Sequence, residues 1–367
     1  MNIKIDRDAF LKPLSSVGNI VERRHTLPIL SNLLLESKQD IITLTATDLE
    51  MQISLSVPSL QGGDFATTVS ARKLLDICRS LPEQSEITLT TQDSKMLVKT
   101  GKSRFNLQTL PASDYPLMAK SHTDTSLTLE LPQRQFKELL KQVEYAMAQQ
   151  DIRYYLNGLL LEVNGNTLSL VGTDGHRLSY TSTQLAQSHD KQEIILPRKT
   201  VIELIKLLND NDEPVSIEVG SNQANFTFSG IRIISKVIDG KFPDYTRVIP
   251  TGYKNTFSIE RQTLLLAMQR ASILSNEKYR GIRMVLGTDS LRLISSNSEQ
   301  EEAEEELEIQ YPGDALDIGF NVTYMIDVLT NVDSESVNFS FADANSSCLV
   351  TLPDDANYKY VVMPMRI

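Results

Sequence analysis

The chain has 367 residues, 41% of them hydrophobic and 23% charged, with a formal charge of -11. That length exceeds one compact core and that composition excludes a disordered chain, so two or three globular domains are expected. The negative charge excludes coating of nucleic acid by bulk attraction and leaves any DNA contact to a local basic patch.

The opening MNIKIDRDAF lacks the apolar stretch of a signal peptide, and no run approaches the roughly 18 apolar residues of a membrane span. A soluble, cytoplasmic protein without membrane contact is expected. From Asp6 onward DRDAFLKPLSSV reads as a helix. SNLLLESKQDIITLTATDLEMQIS follows as an apolar strand, a polar turn, an alternating strand and a small polar step into another strand. The next segment, VSARKLLDICRSL, puts Leu74, Ile77, Cys78 and Leu81 on one helical face. The strand EITLTT and the basic stretch SKMLVKTGKSRF complete the series. Within it TGKS resembles the end of a phosphate-binding loop. Met96 stands where that motif needs its first glycine and the strand-like RFNLQTL follows, so a nucleotide site is excluded.

After a polar connector at 119–126 the order returns with PQRQFKELLKQV, NGLLLEVNGNTLSLVGTDGHRLSY, ILPRKTVIELIKLL and VSIEVG. Past a second connector at 249–255 it returns again with ERQTLLLAMQRA, RGIRMVLGTDSLRLISSNSEQEEA, GFNVTYMIDVLTNV and SVNFSF. Asp48, Asp174 and Asn297 are 126 and 123 residues apart, and so are Arg72, Arg198 and Asn321. Two anchors on one period predict three α+β domains of one fold, at 1–122, 126–249 and 253–367, each with two helices and about eight strands.

The repeat bears on the most reactive-looking stretch, TDGHRL. Asp174 has counterparts at Asp48 and Asn297, while His176 is met by Glu50 and Glu299, so the aspartate belongs to the scaffold. No serine or cysteine nucleophile motif accompanies the pair, and a non-catalytic protein is expected over an enzyme built on Asp174 and His176. His25, His122, His176 and His189 are scattered without metal-ligand spacing, so neither a metal nor another cofactor is expected. Cys78 and Cys348, the latter alternating with Val350 and Leu352, read as buried reduced thiols.

Charge is patterned locally. In EQEEAEEELEI six glutamates fall between 299 and 306, and the run is either a solvated strand end or a docking edge built on Glu299, Glu301, Glu302 and Glu304. As an edge it would match cations of the first domain, Lys95, Lys99, Lys102 and Arg104, with Lys73 nearby, in a head-to-tail contact between copies. Exposed ion pairs contribute little, so apolar groups must supply most of the attraction, with Ile273, Leu274, Phe105 and Leu107 as candidates and ordinary core as their alternative. Basic clusters in ERR, ARK, RYY and PRK recur near helix ends of the first two domains and suit phosphate contacts without base readout.

Across all three domains the chain resembles the bacterial beta sliding clamps, the processivity subunits of replicative DNA polymerase III. The resemblance lies in TLPIL followed by NLLLE, ARKLLDICRSLP, DIRYYLNGLLLE, TDGHRL, DGKFPDYTRV, SNEKYRGIR, SEQEEAEEELE, GFNVTYMIDVL and YVVMPMRI. It implies the DNA clamp fold in a head-to-tail homodimeric ring, helices lining the pore and sheets outside. It also implies a clamp that encircles duplex DNA regardless of sequence, tethers polymerase and other DNA-processing proteins, and associates with the nucleoid during replication. By the same resemblance Arg24, Arg72, Gln150, Tyr154 and Tyr155 touch DNA, with Arg198 and Lys199 as weaker candidates.

The resemblance further implies a groove between the second and third domains where linear motifs of the polymerase, the clamp loader and repair proteins dock. Its wall would comprise Leu156, Thr173, Gly175, His176, Arg177, Leu178, Pro243, Arg247 and Val248 from the second domain. Asn321, Tyr324, Ser347, Met363, Pro364, Met365 and Arg366 would complete it, and Asn345 is polar where an apolar wall is expected. A three-domain adaptor that binds peptides without surrounding DNA is the remaining alternative.

Overall fold

The computed structural model describes residues 2–21, 27–119 and 126–367. Its helices are α1 (Arg7–Gly18), α2 (Ala71–Ser80), α3 (Gln133–Glu144), α4 (Arg198–Leu207), α5 (Arg261–Ala271) and α6 (Val322–Asn331), two to each repeat. Side chains at the starts of several helices take up orphan backbone donors: Asp6 accepts from the amides of Asp8 and Ala9, Ser70 from Lys73, Glu260 from Gln262 and Thr263. The apolar spacing read from the sequence is the buried face. Phe10, Pro13, Leu14 and Val17 of α1 are buried, as are Leu74, Leu75 and Cys78 of α2, while Ile77 is half-buried. Both cysteines are free and buried, and burial pushes the Cys78 thiol up to about 12.

The chain divides into two compact units. The first, residues 1–135 and 206–237, carries one 12-stranded antiparallel sheet. Strand Met51–Pro58 of the first repeat pairs there with Ile231–Lys236, the last strand of the second repeat, from Ile231 opposite Leu55 to Ser235 opposite Met51. The TGKS segment is the turn of a hairpin between Lys95–Thr100 and Ser103–Leu110, with Gly101 at φ 50°.

The second unit, residues 136–205 and 238–367, holds a six-stranded and a four-stranded sheet. In the six-stranded sheet Arg177–Pro197 of the second repeat pairs with Asp355–Val362, the last strand of the third, from Arg177 opposite Val362 to Tyr180 opposite Lys359. One rule has therefore operated twice: the strand that leaves the Asp48 or Asp174 turn pairs with the final strand of the next repeat.

Among the described residues the first and third repeats have eight strands each, as expected, and the second has six. The difference is continuity. Gly158–Thr173 and Arg177–Pro197 each run through what is a turn elsewhere, with register shifts on either side of Gly165. Tyr145 and Ala146, just past α3, join the third repeat's core beside Leu264, Met268, Phe320 and Phe339. Each fully buried Leu, Met or Phe side chain there contributes about 1.5–3 kcal/mol.

Candidate functional site: an apolar groove beside the Thr173–Leu178 turn

Asp174 makes a turn. Its Oδ1 accepts from the amides of His176 at 2.9 Å and Arg177 at 3.0 Å, while Thr173 Oγ1 donates to the Arg177 carbonyl at 2.6 Å. The first repeat uses the same bonds, with Asp48 Oδ1 accepting from Glu50 and Met51 and Thr47 Oγ1 donating to the Met51 carbonyl. In the third repeat Asn297 Oδ1 accepts from Glu299 and Glu301. These Asx turns need a short side-chain acceptor at the anchor position and nothing more. Asp174 Oδ2 lies 3.2 Å from Arg177 Nε, so both carboxylate oxygens serve the turn and its arginine.

Gly175 sits at φ 90°, and a Cβ there would stand 2.9 Å from the guanidinium of Arg153. That guanidinium clasps Asp151 through two hydrogen bonds and donates to the Asp174 carbonyl at 3.1 Å, tying the loop after α3 to the turn. The Arg153 hydrogen bonds hold the Asp151 carboxyl down at about 2, so the clasp persists until the pH falls through that value. Gly175→Ala is expected to lose about 1–3 kcal/mol of unfolding free energy through backbone strain and to loosen the clasp, read by chemical denaturation.

Between turn and loop lies a cavity of about 190 Å³. Leu156, Thr173, Leu178, Tyr245 and Val361 form its buried floor, and His176, Pro243, Val248 and Met363 its exposed rim. It falls short of the roughly 300–1,000 Å³ of small-molecule pockets, so its scale suits anchoring side chains. Tyr245 stacks on Tyr180 with centroids 5.8 Å apart and donates to Glu162 at 2.8 Å; burial, then this carboxylate, push its phenol up. The Met363 amide donates to the His176 carbonyl at 2.9 Å, closing the rim.

Arg177 reaches the cavity but is mostly spent elsewhere. Its side chain is 9% exposed and donates to Asp327 at 2.5 Å and to the Tyr145 carbonyl at 2.6 Å, and its guanidinium lies 4.3 Å from the Tyr324 ring centroid. Burial opposes its charge, yet Tyr360 and the carboxylates of Asp327 and Asp174 raise its pKa above the usual arginine value. Beneath it Tyr145 and Tyr358 share a 2.6 Å hydrogen bond, and Tyr360 donates to the Tyr324 carbonyl at 2.9 Å.

Of the wall residues expected from the sequence, Leu156, Thr173, Gly175, His176, Arg177, Leu178, Pro243, Val248 and Met363 line this one cavity. Tyr324 lines an adjoining hollow with Gln149, Gln150, Asp151, Asp174, His176 and Arg177. The remainder lie outside both: Asn321 accepts from the Thr323 amide as the cap of α6, Arg247 pairs with Asp244 at 2.9 Å, Ser347 is half-buried, and Pro364, Met365 and Arg366 lie beyond the rim. Asn345 is in an exposed turn, its amide donating to Asp343. Tyr245, Val361 and Arg153 line the cavity without having been expected there, and so does Tyr155, which was expected to touch DNA. Alternation carries the missing signal for Val361: Tyr358, Tyr360 and Val362 face the third core, so Val361 must face the other way.

Among the DNA-contact candidates Arg24 lies outside the described residues. Arg72 and Gln150 are exposed, Tyr154 is 59% exposed, and Tyr155 and Lys199 are half-buried. Arg198 turns inward, donating to the Glu144 carbonyl at the end of α3 at 3.1 Å, where a cation offsets the helix dipole. On the proposed edges Glu302–Glu308 is an outermost strand, and Lys73, Lys95, Lys102 and Arg104 are exposed. Glu299, Glu301, Glu302 and Glu304 are exposed too, with Glu304 reaching Arg292 at 3.2 Å and Asn297 donating to Glu301. Ile273 is 76% exposed, Leu274 and Phe105 are half-buried, and Leu107 is 8% exposed and so already packed within its own chain. No metal-holding cluster of His, Cys, Asp or Glu, and no helix long and apolar enough to cross a membrane, occurs among the described residues.

Three repeats of one fold, linked strand to strand and carrying a side-chain-sized groove, define a clamp-type binding protein. Family profiles match it throughout: the N-terminal domain of the DNA polymerase III beta subunit over 1–119, the central domain over 130–244 and the C-terminal domain over 246–366. The beta sliding clamp of Pseudomonas aeruginosa is 47% identical over 371 residues, covering all of both chains. A crystal structure of the DNA polymerase III subunit beta from that organism matches the whole of both chains with TM-score 0.96 and 47% identity. Another, of the P. aeruginosa clamp bound to griselimycin, matches with TM-score 0.96 and 46% identity over both chains. The chain belongs to the DNA polymerase III beta subunit family, the bacterial sliding clamps.

Proposed function

We propose that two copies of this chain join head to tail into a ring that encircles duplex DNA, and that polymerase, clamp loader and repair proteins dock linear motifs in the groove. The protein is a processivity clamp and not an enzyme. Cytoplasmic residence, at the nucleoid during replication, and the domain limits 1–122, 126–249 and 253–367 belong to the same reading.

The strand-pairing rule carries the dimer. It is satisfied at Met51–Pro58 and again at Arg177–Pro197, and each time the partner is the last strand of the next repeat. That leaves one member of each kind: the outermost strand Glu302–Glu308 after the Asn297 turn, and the part of Ser103–Leu110 before Thr109 and Leu110, which already pair with Val69 and Thr68. The first is acidic, and the second carries Arg104 with Lys102 in the turn just before it, so a third pairing between copies would be complementary in backbone and charge. Encirclement also suits an acidic protein, because a topological link needs no strong phosphate affinity.

Retention on nicked circular DNA that vanishes on linearisation is the expected result. A protein washed off both forms equally would be an adaptor without a ring. For the groove we propose griselimycin as a probe, since a relative binds it. Val248→Arg places a charge at the rim without disturbing the buried floor, and is expected to abolish griselimycin binding while retention on nicked circles persists.

A further inference from the structure

Gly281 and Gly319 lie on neighbouring strands of the third repeat. Gly281 pairs with Asn321 and Arg283 with Gly319, so both glycines occupy the same face of the strand pair. Neither has a positive φ, so the backbone does not demand glycine at either place. Space does. A Cβ on Gly319 would stand 2.5 Å from the Met365 carbonyl oxygen and 2.7 Å from Ile367 Cδ1, and one on Gly281 would stand 3.1 Å from Ile367 Cδ1.

The last residues of the sequence thus run across a notch that only glycines leave open. Two backbone bonds hold them: Met363 N–H to the His176 carbonyl at 2.9 Å, and Met365 N–H to the Gly319 carbonyl at 2.8 Å. Between the two anchors stands Pro364, whose ring fixes its own φ and restricts the residue before it. Movement of Met365 is therefore passed to Met363 through one stiff residue, and Met363 is part of the groove rim.

We propose that the Gly281–Gly319 notch seats this segment and so sets where Met363 stands in the groove, making the two glycines positioning residues for partner binding. The proposal rests on the groove reading above. With the notch filled, Met363 keeps one anchor, and a partner must order the rim on binding.

The test uses the full-length protein with methyl-labelled methionine. Gly319→Ala is expected to shift the Met363 methyl resonance, to speed hydrogen exchange at the Met365 amide, and to weaken griselimycin binding by about tenfold, the scale of ordering one or two side chains. Gly281→Ala meets only the side chain of Ile367, at 3.1 Å or more and with no backbone atom, so its effect is smaller. Combined with Ile367→Gly it should behave as Ile367→Gly alone, a rescue that general destabilisation would not give. A Gly319→Ala protein with an unmoved Met363 methyl and unchanged affinity overturns the proposal, as does a Gly281→Ala defect that persists in the double variant. Should Val248→Arg bind griselimycin normally, the groove reading falls and this proposal with it. Loss of binding in Val248→Arg alongside normal binding in Gly319→Ala defeats the notch alone.

Discussion

Arg177→Ala is expected to lower the unfolding free energy by about 3 kcal/mol, the low end of the cost of stripping one partner from a buried ion pair. The low end applies because Asp327 keeps 31% of its side chain exposed and can recover some hydration. The loss comes from several directions at once: the Asp174 and Asp327 carboxylates lose their cation, the Tyr145 carbonyl loses its donor, and the Tyr324 face is uncovered. Arg177→Lys should recover little, since an ammonium lacks the planar fork that reaches all three oxygens while lying on a ring. The chain has no tryptophan, so urea unfolding can be followed by tyrosine emission. A midpoint unchanged from the parent protein would mean that the Arg177 cluster does not hold the second and third repeats together.

Replacing Ile273 and Leu274 with alanine is expected to shift the protein from twice the chain mass to the single chain, and to abolish retention on nicked circular DNA. A central apolar anchor in an interface costs about 2 kcal/mol or more on truncation, so the pair weakens association by roughly a hundredfold or more. The charged edges are worth less, because each exposed pair supplies about 0.2–1 kcal/mol and salt screens it. Within the chain Arg270 already holds Glu305 through two hydrogen bonds and Arg292 holds Glu304. In the proposed dimer, charge on this strand would orient the approach more than bind it, and added salt should loosen that dimer far less than the two alanines do. An unaltered mass by analytical ultracentrifugation would place the seam elsewhere.

Much of the molecule is legible without coordinates. The three-fold repeat, six amphipathic helices and the scaffold role of Asp174 follow from spacing alone, because helical and strand periods are local and an Asx turn is completed within three residues. The contrast between the Glu302–Glu308 strand and the Lys102–Arg104 region is equally plain in the residue order. Resemblance to a known family supplied most of the groove wall, which no periodicity contains.

What the tertiary structure alone decided is how side chains divide their partners. The cavity floor is assembled from Leu156, Leu178, Tyr245 and Val361, stretches of chain far apart in sequence, and no local rule selects Tyr245 over its neighbours. Arg177, Arg198 and Asn321 have polar groups fit for a ligand, yet the first two turn inward to carboxylates or helix-end carbonyls and the third caps α6. The reason is energetic: a buried orphan acceptor costs about 1–3 kcal/mol, so a nearby donor meets that need first, and which donor is near depends on the packing of distant segments. The order of residues determined the repeats, the turns and the two charged edges, while packing decided which polar groups were left to face a partner.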